Sequence, residues 1–331
     1  MRVLILGGTE FVGKAFVNDA LARGWHVTTL NRQTHPAQQE VTSLRGNRWE
    51  ASGLDELGDE RWDLVVDTWS WAPVAVRDAV ARLADRTDRY LYVSSRSVYA
   101  FPTAAGADET AATVDSSPDL TDADYAQAKR GAELAVLEQF DTRALLLRAG
   151  LILGPDENIG RLPWWLSRID RGGEVLAPGP RDAAIQYIDA RDLAAFGLDA
   201  AAAGLGGAYD VVSPTSHATM GDLLEACIAA TGADARLTWV EPDRVLAAGI
   251  EPWTHLPVWL PPGELHDTLH GANVSKALDA GLRIRPLQET VSDTWAWLQT
   301  VGEAPQREDR PRLGLDPAVE AQVLQDSPGH T

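Results

Sequence analysis

The first thirty residues alternate between short apolar runs and one stretch with helical spacing. Residues 2–6 (RVLIL) form an apolar run that predicts a buried parallel strand. Apolar positions recur with helical periodicity over 12–23, which predicts a helix, and Gly24 ends it. A second strand is predicted over 26–30. Strand, glycine-rich loop, helix and strand in this order predict a βαβ unit with parallel strands.

Strand-like runs also occur later in the chain, and each leads into polar or aromatic residues. Residues 63–67 (DLVVD) precede TWSW at 68–71, and residues 89–93 (RYLYV) precede SSRSVY at 94–99. Because ligands of doubly wound sheets lie outside the carboxyl ends of the strands, we expect both strand ends to face one bound ligand. A last helix is predicted over 286–300. The pattern as a whole predicts an α/β protein built on a doubly wound parallel sheet.

The loop after the first strand reads GGTEFVG over residues 7–13. Glycine is needed where a backbone turns sharply off a strand, where a pyrophosphate approaches it, and where a helix packs closely on a strand. The N–H groups at the start of the following helix attract the same phosphates. We therefore expect this loop to bind a dinucleotide through the following residues: Gly7, Thr9, Glu10, Phe11, Val12 and Gly13.

A second motif, YAQAK at 125–129, places Tyr125 and Lys129 four residues apart. On a helix this spacing puts both side chains on one face. A nearby cation favours the phenolate form and lowers the pKa of a tyrosine, which makes the phenol a usable general acid or base. The pair therefore predicts proton exchange with a hydroxyl or carbonyl group.

With these two motifs the chain resembles the short-chain dehydrogenase/reductase superfamily, in particular its extended, epimerase/dehydratase-like branch, over residues 1–300. The family's loop is usually TGxxGxxG; Gly7 and Gly13 match the outer glycines, and Glu10 stands at the middle one. A GGTxFxG variant is familiar among atypical extended members, including the plastid stem-loop-binding relatives. The resemblance implies an NAD(P)-dependent enzyme with a Rossmann-type sheet and a smaller C-terminal substrate domain.

The same resemblance suggests how the chain is divided. The segment QYIDARDL at 186–193 matches the family's return to the cofactor domain, and NVSKA at 273–277 matches its closing segment. We assign the NAD(P)-binding Rossmann domain to 1–159 and 184–213, and the substrate domain to 160–183 and 214–300. Residues 301–331 form a C-terminal tail, in which 316–325 predicts a short helix.

The end of the second strand bears on the choice of cofactor. In a fold of this type an acidic residue here holds the ribose hydroxyls of NAD, whereas an arginine accepts the 2′-phosphate of NADP. Asn31 and Arg32 stand at this place, and Arg32, with His35 as a second candidate, favours NADP and leaves NAD open. Further cofactor contacts are expected from Asn47 to the adenine, from Arg48 to a phosphate, and from the strand end formed by Asp67, Thr68 and Trp69.

The resemblance also assigns the chemistry. The family places its catalytic Ser or Thr four residues before a Val-Tyr tyrosine, which is Tyr99 here. The implied residue is Ser95, with Ser94 as the runner-up, and it would hydrogen-bond the substrate oxygen as charge develops there. Tyr125 would exchange the proton, and Lys129 would hold the nicotinamide ribose and keep the pKa of the phenol low.

Two departures from the family narrow the substrate. Nucleotide-sugar dehydratases carry Asp-Glu after the catalytic residue, whereas this chain has Arg96 and Ser97, so the acid and base for loss of water are missing. Leu151 and Ile152 stand where sugar-nucleotide enzymes usually have an Asn for the diphosphate. Burying a diphosphate without donors costs several kcal/mol, although arginines at 161, 168 and 181 could supply them.

The tryptophans favour an apolar or aromatic substrate. The chain has 12 of them, and several fall in the predicted substrate domain, where flat apolar side chains suit stacking on a flat group. The candidate substrate contacts are Trp71, Arg96, Trp164, Trp165 and Tyr187.

Three classes of function remain open. The first is an NADP-dependent reductase or dehydrogenase of a small carbonyl compound. The second is a nucleotide-sugar epimerase with tightly held NAD, and the third is a cofactor-binding protein without turnover. Arg32 and the missing Asn favour the first class, while the presence of Ser95, Tyr125 and Lys129 argues against the third.

Composition excludes several partners. The formal net charge of −19 repels nucleic acid and anionic lipid, and no apolar run approaches the ~18 residues needed to cross a bilayer. We therefore expect a small-molecule substrate, no nucleic acid and no membrane, and leave a homodimer open. The single Cys227 predicts a core thiol, excludes an internal disulfide and indicates a reducing cytoplasm.

Two histidines and one long segment complete the sequence predictions. His266 and His270 have helical spacing but no evident third ligand, so we expect a polar surface pair rather than a metal site. Residues 102–124 are rich in Ala, Thr, Asp, Pro and Ser, which predicts a long loop over the site.

Overall fold

A computed structural model describes residues 1–34, 38–50, 52–303, 307 and 311–326 of the chain. His35, the second candidate for the 2′-phosphate, lies outside them. The described residues divide into two compact units. Unit 1 comprises Met1–Gly150, Ala190–Val212 and Asn273–Arg283, and unit 2 comprises Leu151–Asp189, Ser213–Ala272 and the described residues of Ile284–Thr331.

The strands and helices are numbered in chain order. The strands are β1 (Arg2–Leu6), β2 (His26–Asn31), β3 (Thr42–Arg45), β4 (Trp62–Asp67), β5 (Thr87–Ser95), β6 (Ala144–Ala149), β7 (Leu151–Leu153), β8 (Gly173–Pro178), β9 (Tyr187–Asp189), β10 (Gly207–Val211) and β11 (Ala235–Val240). The helices are α1 (Phe11–Ala22), α2 (Val74–Leu83), α3 (Tyr125–Phe140), α4 (Arg161–Asp170), α5 (Ala190–Ala202), α6 (Met220–Thr231), α7 (Pro242–Ala247), α8 (Glu264–His270), α9 (Ser275–Asp279), α10 (Leu287–Val301) and α11 (Pro317–Gln325).

Unit 1 is built on a sheet with the strand order β10-β6-β5-β4-β1-β2-β3. Every neighbouring pair in it is parallel. The strand order reverses between β1 and β4, which is the point where open α/β sheets bind ligands beyond the carboxyl ends of their strands. The predicted doubly wound parallel sheet is therefore confirmed.

The two faces of this sheet are covered by different helices. Leu4 and Leu6 of β1 belong to a buried core that α2 and α3 complete with Val76 and Ala132, whereas α1 packs against α5. Ile5 lies between Leu4 and Leu6 and points to the opposite face, because side chains alternate along a strand. Both faces of β1 are thus apolar, which explains its uninterrupted hydrophobic run.

Unit 2 has its own core and two small parallel sheets. Strand β8 pairs with β11, and β7 pairs with β9. The indole of Trp165 is fully buried among the apolar side chains of α4, α6 and α10, and Trp259 is almost fully buried in the same core. Unit 2 is the smaller C-terminal region of the predicted architecture.

The division into units differs from the sequence assignment in three segments and at the single residue Ser213, which lies in unit 2. Residues 151–159 and 184–189 lie in unit 2, where β7 and β9 pair with each other. Residues 273–283 lie in unit 1, where the Asn273 amide donates to the Ala107 carbonyl (2.9 Å) and Lys276 Nζ donates to the Ala208 carbonyl (2.6 Å). The helix predicted in the tail is confirmed as α11, and an ion pair between Arg168 and Glu320 (2.6 Å) fixes it in unit 2.

Two further sequence predictions bear on the loops and on membranes. Residues 102–124 carry no helix or strand, as predicted, and the backbone bonds Ala100 N–Ala112 O and Val114 N–Val98 O (both 2.8 Å) hold this loop to the segment that follows β5. Within the described ranges, the helices are all too short or too polar to cross a bilayer.

Candidate active site

The glycine loop between β1 and α1 doubles back on itself. Gly7 and Gly8 have φ values of 120° and 96°, which side chains with a Cβ rarely adopt. A Cβ on Gly13 would lie 2.7 Å from the amide nitrogen of Gly8, so glycine is required there. Glu10 has an extended backbone (φ −130°), and therefore a residue other than glycine fits at the family's middle position. The Glu10 side chain makes no capping bond to the first turn of α1, which leaves this turn suited to an anion.

The end of β2 lies beside this loop. Asn31 Nδ2 donates to Thr29 Oγ1 (3.2 Å) and reaches the Gly7 carbonyl at 3.5 Å. Arg32 follows, and its side chain is exposed. Asn47, the residue predicted to contact adenine, donates from Nδ2 to Glu50 Oε1 (2.7 Å). The structure therefore places Asn31 next to the glycine loop, and the side-chain amide of Asn47 already has a partner in Glu50.

The side chains of Arg48 and Asp67 bind each other. Arg48 Nη1 and Nη2 donate to Asp67 Oδ1 and Oδ2 at 2.6 and 3.0 Å, and Nη2 also donates to the Ala75 carbonyl at 2.8 Å. The hydroxyl of Tyr90 donates to Asp67 Oδ2 (2.7 Å), and both side chains of the pair are buried. The cofactor contacts expected from Arg48 and Asp67 stay predictions, and in this arrangement both charged groups already have partners.

Thr68 and Trp69 continue from β4 to the rim of the glycine loop. Thr68 Oγ1 donates to the Leu6 carbonyl (3.1 Å) and would lie 2.6 Å from a Cβ on Gly7, which is a second reason for glycine at that position. The indole of Trp69 lies 5.1 Å from that of Trp49, centroid to centroid, and Trp69 Nε1 donates to the Ala72 carbonyl (3.0 Å). Thr68 and Trp69 thus lie where the carboxyl ends of β1 and β4 meet.

Helix α3 holds Lys129 in a fixed position below the ends of two strands. Asp124 caps this helix by accepting from the Gln127 amide (2.8 Å), and Tyr125 is its first residue. Lys129 is 3% exposed, and its Nζ donates to the carbonyl oxygens of Trp69 and Val93, both at 2.7 Å. Tyr125, one turn earlier on the same face, is 39% exposed. The predicted pair thus consists of an anchored ammonium and an accessible phenol.

The structure distinguishes the two serines at the end of β5. Ser94 Oγ donates to Glu133 Oε1 (2.7 Å) and is buried in a charged network. Ser95 Oγ accepts from the Ser97 amide and donates to Ser97 Oγ, each at 3.1 Å. Among the described residues, the Ser95 hydroxyl bonds to the short turn that follows it, whereas Ser94 is engaged with a buried carboxylate, so Ser95 is the better candidate.

The predicted substrate contacts fall into accessible and inaccessible groups. Trp71 is 41% exposed, but Arg96 is 6% exposed and its Nε lies 3.4 Å from Asp210 Oδ2. Trp165 and Tyr187 are fully buried, where Trp165 Nε1 donates to the Pro257 carbonyl (2.7 Å) and the hydroxyl of Tyr187 lies 3.1 Å from His217 Nε2. Both side chains are engaged within the core of unit 2, and their contact with a substrate stays a prediction.

Trp164 lies at a separate cavity of unit 2. This cavity has a volume of about 670 Å³ and is lined by Trp164, Arg168, Arg171 and Arg312, among other residues. The Arg168 guanidinium is bonded to Glu320 and to the Glu174 carbonyl (2.6 Å), so it already has acidic and backbone partners.

One member of the histidine pair, His270, is buried in unit 2. His270 is 2% exposed; its Nδ1 accepts from the Gln186 amide (3.0 Å), and its Nε2 lies 3.3 Å from the Val258 carbonyl. The prediction of a surface pair is therefore wrong for His270. No group of three or more His, Cys, Asp or Glu side chains suited to a metal occurs among the described residues.

Cys227 is buried, as predicted, and burial raises the pKa of its thiol.

Buried charges next to Ser95 were missed by the sequence reasoning. Glu133 is fully buried on α3 and binds Arg148 of β6, and Asp210 of β10 accepts from the hydroxyl of Tyr99 (2.7 Å). Burial raises the pKa of Asp210 to about 6, partly offset by Arg96. Glu133 had a signal in the sequence, because it follows Tyr125 and Lys129 at the same four-residue interval; the partners of Asp210 lie too far away along the chain to have one.

Comparisons with known proteins agree with this architecture. The family model described as "NAD dependent epimerase/dehydratase family" matches residues 3–211. No curated protein matches the chain. Among solved structures, the chain is similar to the Bordetella bronchiseptica enzyme WbmG in complex with NAD and UDP, at 17% identity over 94% of this chain and 99% of that chain, with a TM-score of 0.67.

Two further solved structures are similar over most of their length. One is the UDP-glucose 4-epimerase of Thermus thermophilus in complex with NAD, at 20% identity over 90% of this chain and 99% of that chain, with a TM-score of 0.61. The other is the UDP-glucose 4-epimerase of Thermotoga maritima with UDP-glucose, at 18% identity over 92% of this chain and 100% of that chain, with a TM-score of 0.62. At these identities the likeness shows the fold.

Proposed function

Because the chain belongs to the NAD-dependent epimerase/dehydratase family, we propose that it is an epimerase that oxidises and re-reduces a secondary alcohol of a nucleotide-linked sugar. The placement of Lys129 carries this proposal. Its ammonium is bonded to the carbonyl oxygens of Trp69 and Val93, at the carboxyl ends of β4 and β5. Tyr125 lies one turn before it on α3. A phenol and an ammonium are thereby held at the edge where such sheets bind their ligands.

The glycine loop fits a nicotinamide dinucleotide. Gly7 and Gly8 adopt backbone angles that open the loop, and the close approach of Gly13 to Gly8 brings the start of α1 next to β1. The amide groups of the first turn of α1 would hold the pyrophosphate. A bound nicotinamide supplies the group that accepts the hydride from the sugar carbon and gives it back.

Three side chains of unit 1 would act during the reaction of the hydroxyl group: one would transfer its proton, and the other two would stabilise the charges that develop. The accessible phenol of Tyr125 would take the hydroxyl proton during oxidation and return it during reduction. The hydroxyl of Ser95 would donate a hydrogen bond to the same oxygen, where negative charge develops. Lys129 would hold the nicotinamide ribose and stabilise the phenolate through its positive charge.

Loss of water from the sugar is disfavoured by the residue after Ser95. A dehydratase needs an acid and a base at this point, whereas Arg96 is buried here and paired with Asp210. The similar structures include two proteins named UDP-glucose 4-epimerase, and a third in complex with UDP, which supports a nucleotide sugar as the substrate class.

A reductase of a small uncharged carbonyl compound with NADP is the second candidate. The exposed guanidinium of Arg32 at the end of β2 favours it, because that is where a 2′-phosphate would lie. Leu151 supports it as well, since this buried residue of β7 replaces the Asn that would bind a diphosphate.

Identifying the cofactor that copurifies with the protein separates the two candidates. Retained NAD, together with interconversion of UDP-glucose and UDP-galactose without added cofactor, supports the epimerase. Absence of retained cofactor, with oxidation of NADPH on addition of an aromatic ketone or aldehyde, supports the reductase. A protein that binds neither NAD nor NADP in a titration overturns both.

A further inference from the structure

Helix α3 carries a third polar group in line with Tyr125 and Lys129, and this group is buried. Glu133 follows Lys129 by one turn and is fully buried. Its Oε1 accepts from Ser94 Oγ (2.7 Å) and from Arg148 Nε (2.9 Å), and its Oε2 accepts from Arg148 Nη2 and Arg130 Nη1 (both 2.9 Å). A carboxylate offers about four acceptor positions, so this one is fully satisfied.

The partners of Glu133 on the sheet are themselves fixed. Ser94 of β5 and Arg148 of β6 are register partners in the parallel sheet, so one carboxylate binds two neighbouring strands at the same level. Arg148 Nη1 also donates to the hydroxyl of Tyr99 (3.1 Å) and to the Glu109 carbonyl (3.3 Å). Arg148 is therefore bonded both to the helix, through Glu133, and to the segment after β5, through Tyr99 and Glu109.

The helix thus holds two consecutive residues of β5 immediately before Ser95. Lys129 binds the carbonyl oxygen of Val93, and Glu133 binds the hydroxyl of Ser94. Ser95, which makes its own side-chain bonds only to Ser97 among those described, is the next residue. The position of Ser95 relative to the phenol of Tyr125 is consequently set by these two bonds from one helix.

We propose that Glu133 is a positioning residue, which acts through Ser94 to fix Ser95 relative to Tyr125. The proposal rests on the function proposed above for Ser95 and Tyr125. A misplacement of about 1 Å can cost on the order of 10²-fold in rate, so a bond that fixes two reacting side chains affects turnover without contacting the substrate.

Variants of Ser94 and Glu133 test the proposal against a matched control on the same carboxylate. Ser94→Ala removes the bond to β5 but keeps the Glu133–Arg148 pair, and Glu133→Gln weakens both. Arg130→Ala removes a bond to Glu133 Oε2 from within α3, and so leaves the link to the strands intact. With UDP-glucose as the probe, we expect Ser94→Ala and Glu133→Gln to lower kcat about tenfold with KM nearly unchanged, and Arg130→Ala to leave kcat at the wild-type value.

A double-mutant cycle separates a positioning role from a general structural one. If Glu133 and Ser94 act through Ser95, Ser94→Ala should lower kcat about tenfold in the wild type and cause little further loss in Ser95→Ala, because the group that it positions is then absent. Thr87→Val, which removes a hydroxyl at the other end of β5, should leave kcat unchanged in both backgrounds.

The outcomes distinguish the two proposals. If Ser94→Ala lowers kcat by the same factor in Ser95→Ala as in the wild type, or does not lower it at all, the positioning role is overturned. If UDP-glucose is not turned over but an aromatic ketone is reduced with NADPH, the proposed reaction fails and the same cycle, measured on that reduction, decides the positioning role. Absence of both reactions overturns both proposals. Should Glu133→Gln not fold, Ser94→Ala decides the matter by itself.

Discussion

The guanidinium of Arg48 and the carboxylate of Asp67 form a buried ion pair with two parallel contacts, of 2.6 and 3.0 Å. The pair connects the segment after β3 with the end of β4, close to the glycine loop. The amide of Trp69 donates to Asp67 Oδ1 as well (2.9 Å), so the carboxylate also shapes the turn that presents Trp69. Each charge in the pair depends on the other, because a lone charge at a buried site is costly.

Replacement of Arg48 by Ala is therefore expected to destabilise the protein strongly. The substitution leaves Asp67 buried without its cation, which costs about 3–5 kcal/mol in the free energy of unfolding. Urea denaturation of the wild type and the variant measures the difference. Arg45→Ala, which removes an exposed arginine three residues earlier, should change stability by less than about 0.5 kcal/mol. A similar loss in the free energy of unfolding in both variants would show that the ion pair between Arg48 and Asp67 stabilises the protein no more than an exposed arginine does.

Arg32→Ala is expected to weaken the binding of NADP and to leave that of NAD unchanged. Charge-assisted hydrogen bonds contribute about 1.5–3 kcal/mol, which corresponds to roughly 10–100-fold in Kd. Titrations of both cofactors, followed by quenching of tryptophan fluorescence, measure the two affinities. Arg45 is the register partner of Asn31, and Arg45→Ala at this neighbouring strand end provides a control with the same change in net charge. If NADP binds Arg32→Ala as tightly as the wild type, Arg32 does not contact the 2′-phosphate, and the reductase candidate loses its main support.

Much of unit 1 could be predicted because its signals are local. The βαβ unit follows from apolar runs and glycines that are adjacent in the sequence, and the pairing of Tyr125 with Lys129 follows from helical spacing alone. The structure confirms β1 at the predicted bounds and shifts the first helix by one residue, to Phe11–Ala22.

The contacts that the sequence could not predict join residues that are distant along the chain or depend on how the units pack. Arg48 and Asp67 are 19 residues apart, and their pairing depends on how β3 and β4 are placed in the sheet. Trp165 and Tyr187 are amphipathic side chains, which suit a pocket or a core equally well, and only the packing of unit 2 decides for the core. The placement of residues 273–283 in unit 1 likewise depends on the hydrogen bond between Asn273 and Ala107, which lie far apart in the sequence.

Tyr125→Phe is expected to abolish most of the turnover and to preserve cofactor binding. The substitution removes the proton donor and keeps the ring, and loss of general acid–base catalysis costs about 10²–10⁴-fold in kcat. Interconversion of UDP-glucose and UDP-galactose, or oxidation of NADPH with a carbonyl substrate, measures the rate. Tyr209→Phe removes a hydroxyl from β10 of the same unit and should retain wild-type activity. Turnover at the wild-type rate in Tyr125→Phe would rule out the assigned role of the phenol.

Glu157 gives the stability of the protein a specific dependence on pH. This carboxyl group is fully buried, and its oxygens accept from the amides of Arg161 (2.7 Å) and Leu162 (3.2 Å) at the start of α4. Burial raises the pKa of Glu157 from 4.5 to about 7, although the charge of Arg161 and these bonds act in the opposite direction. Between these two values the folded protein retains a proton that the unfolded chain releases.

The free energy of unfolding should therefore fall as the pH rises from 4.5 to 7, because the unfolded chain gains the charged form more easily than the folded protein does. One such group contributes a slope of about 1.4 kcal/mol per pH unit at most. Glu157→Gln cannot ionise, so the variant should gain stability relative to the wild type across this range and keep a constant advantage above it. Urea denaturation at intervals of pH measures both curves, and Glu264→Gln, at the exposed start of α8, should follow the wild type. A difference between Glu157→Gln and the wild type that does not change with pH would mean that Glu157 is charged in the folded protein throughout the range, and that the amides of α4 and Arg161 outweigh its burial.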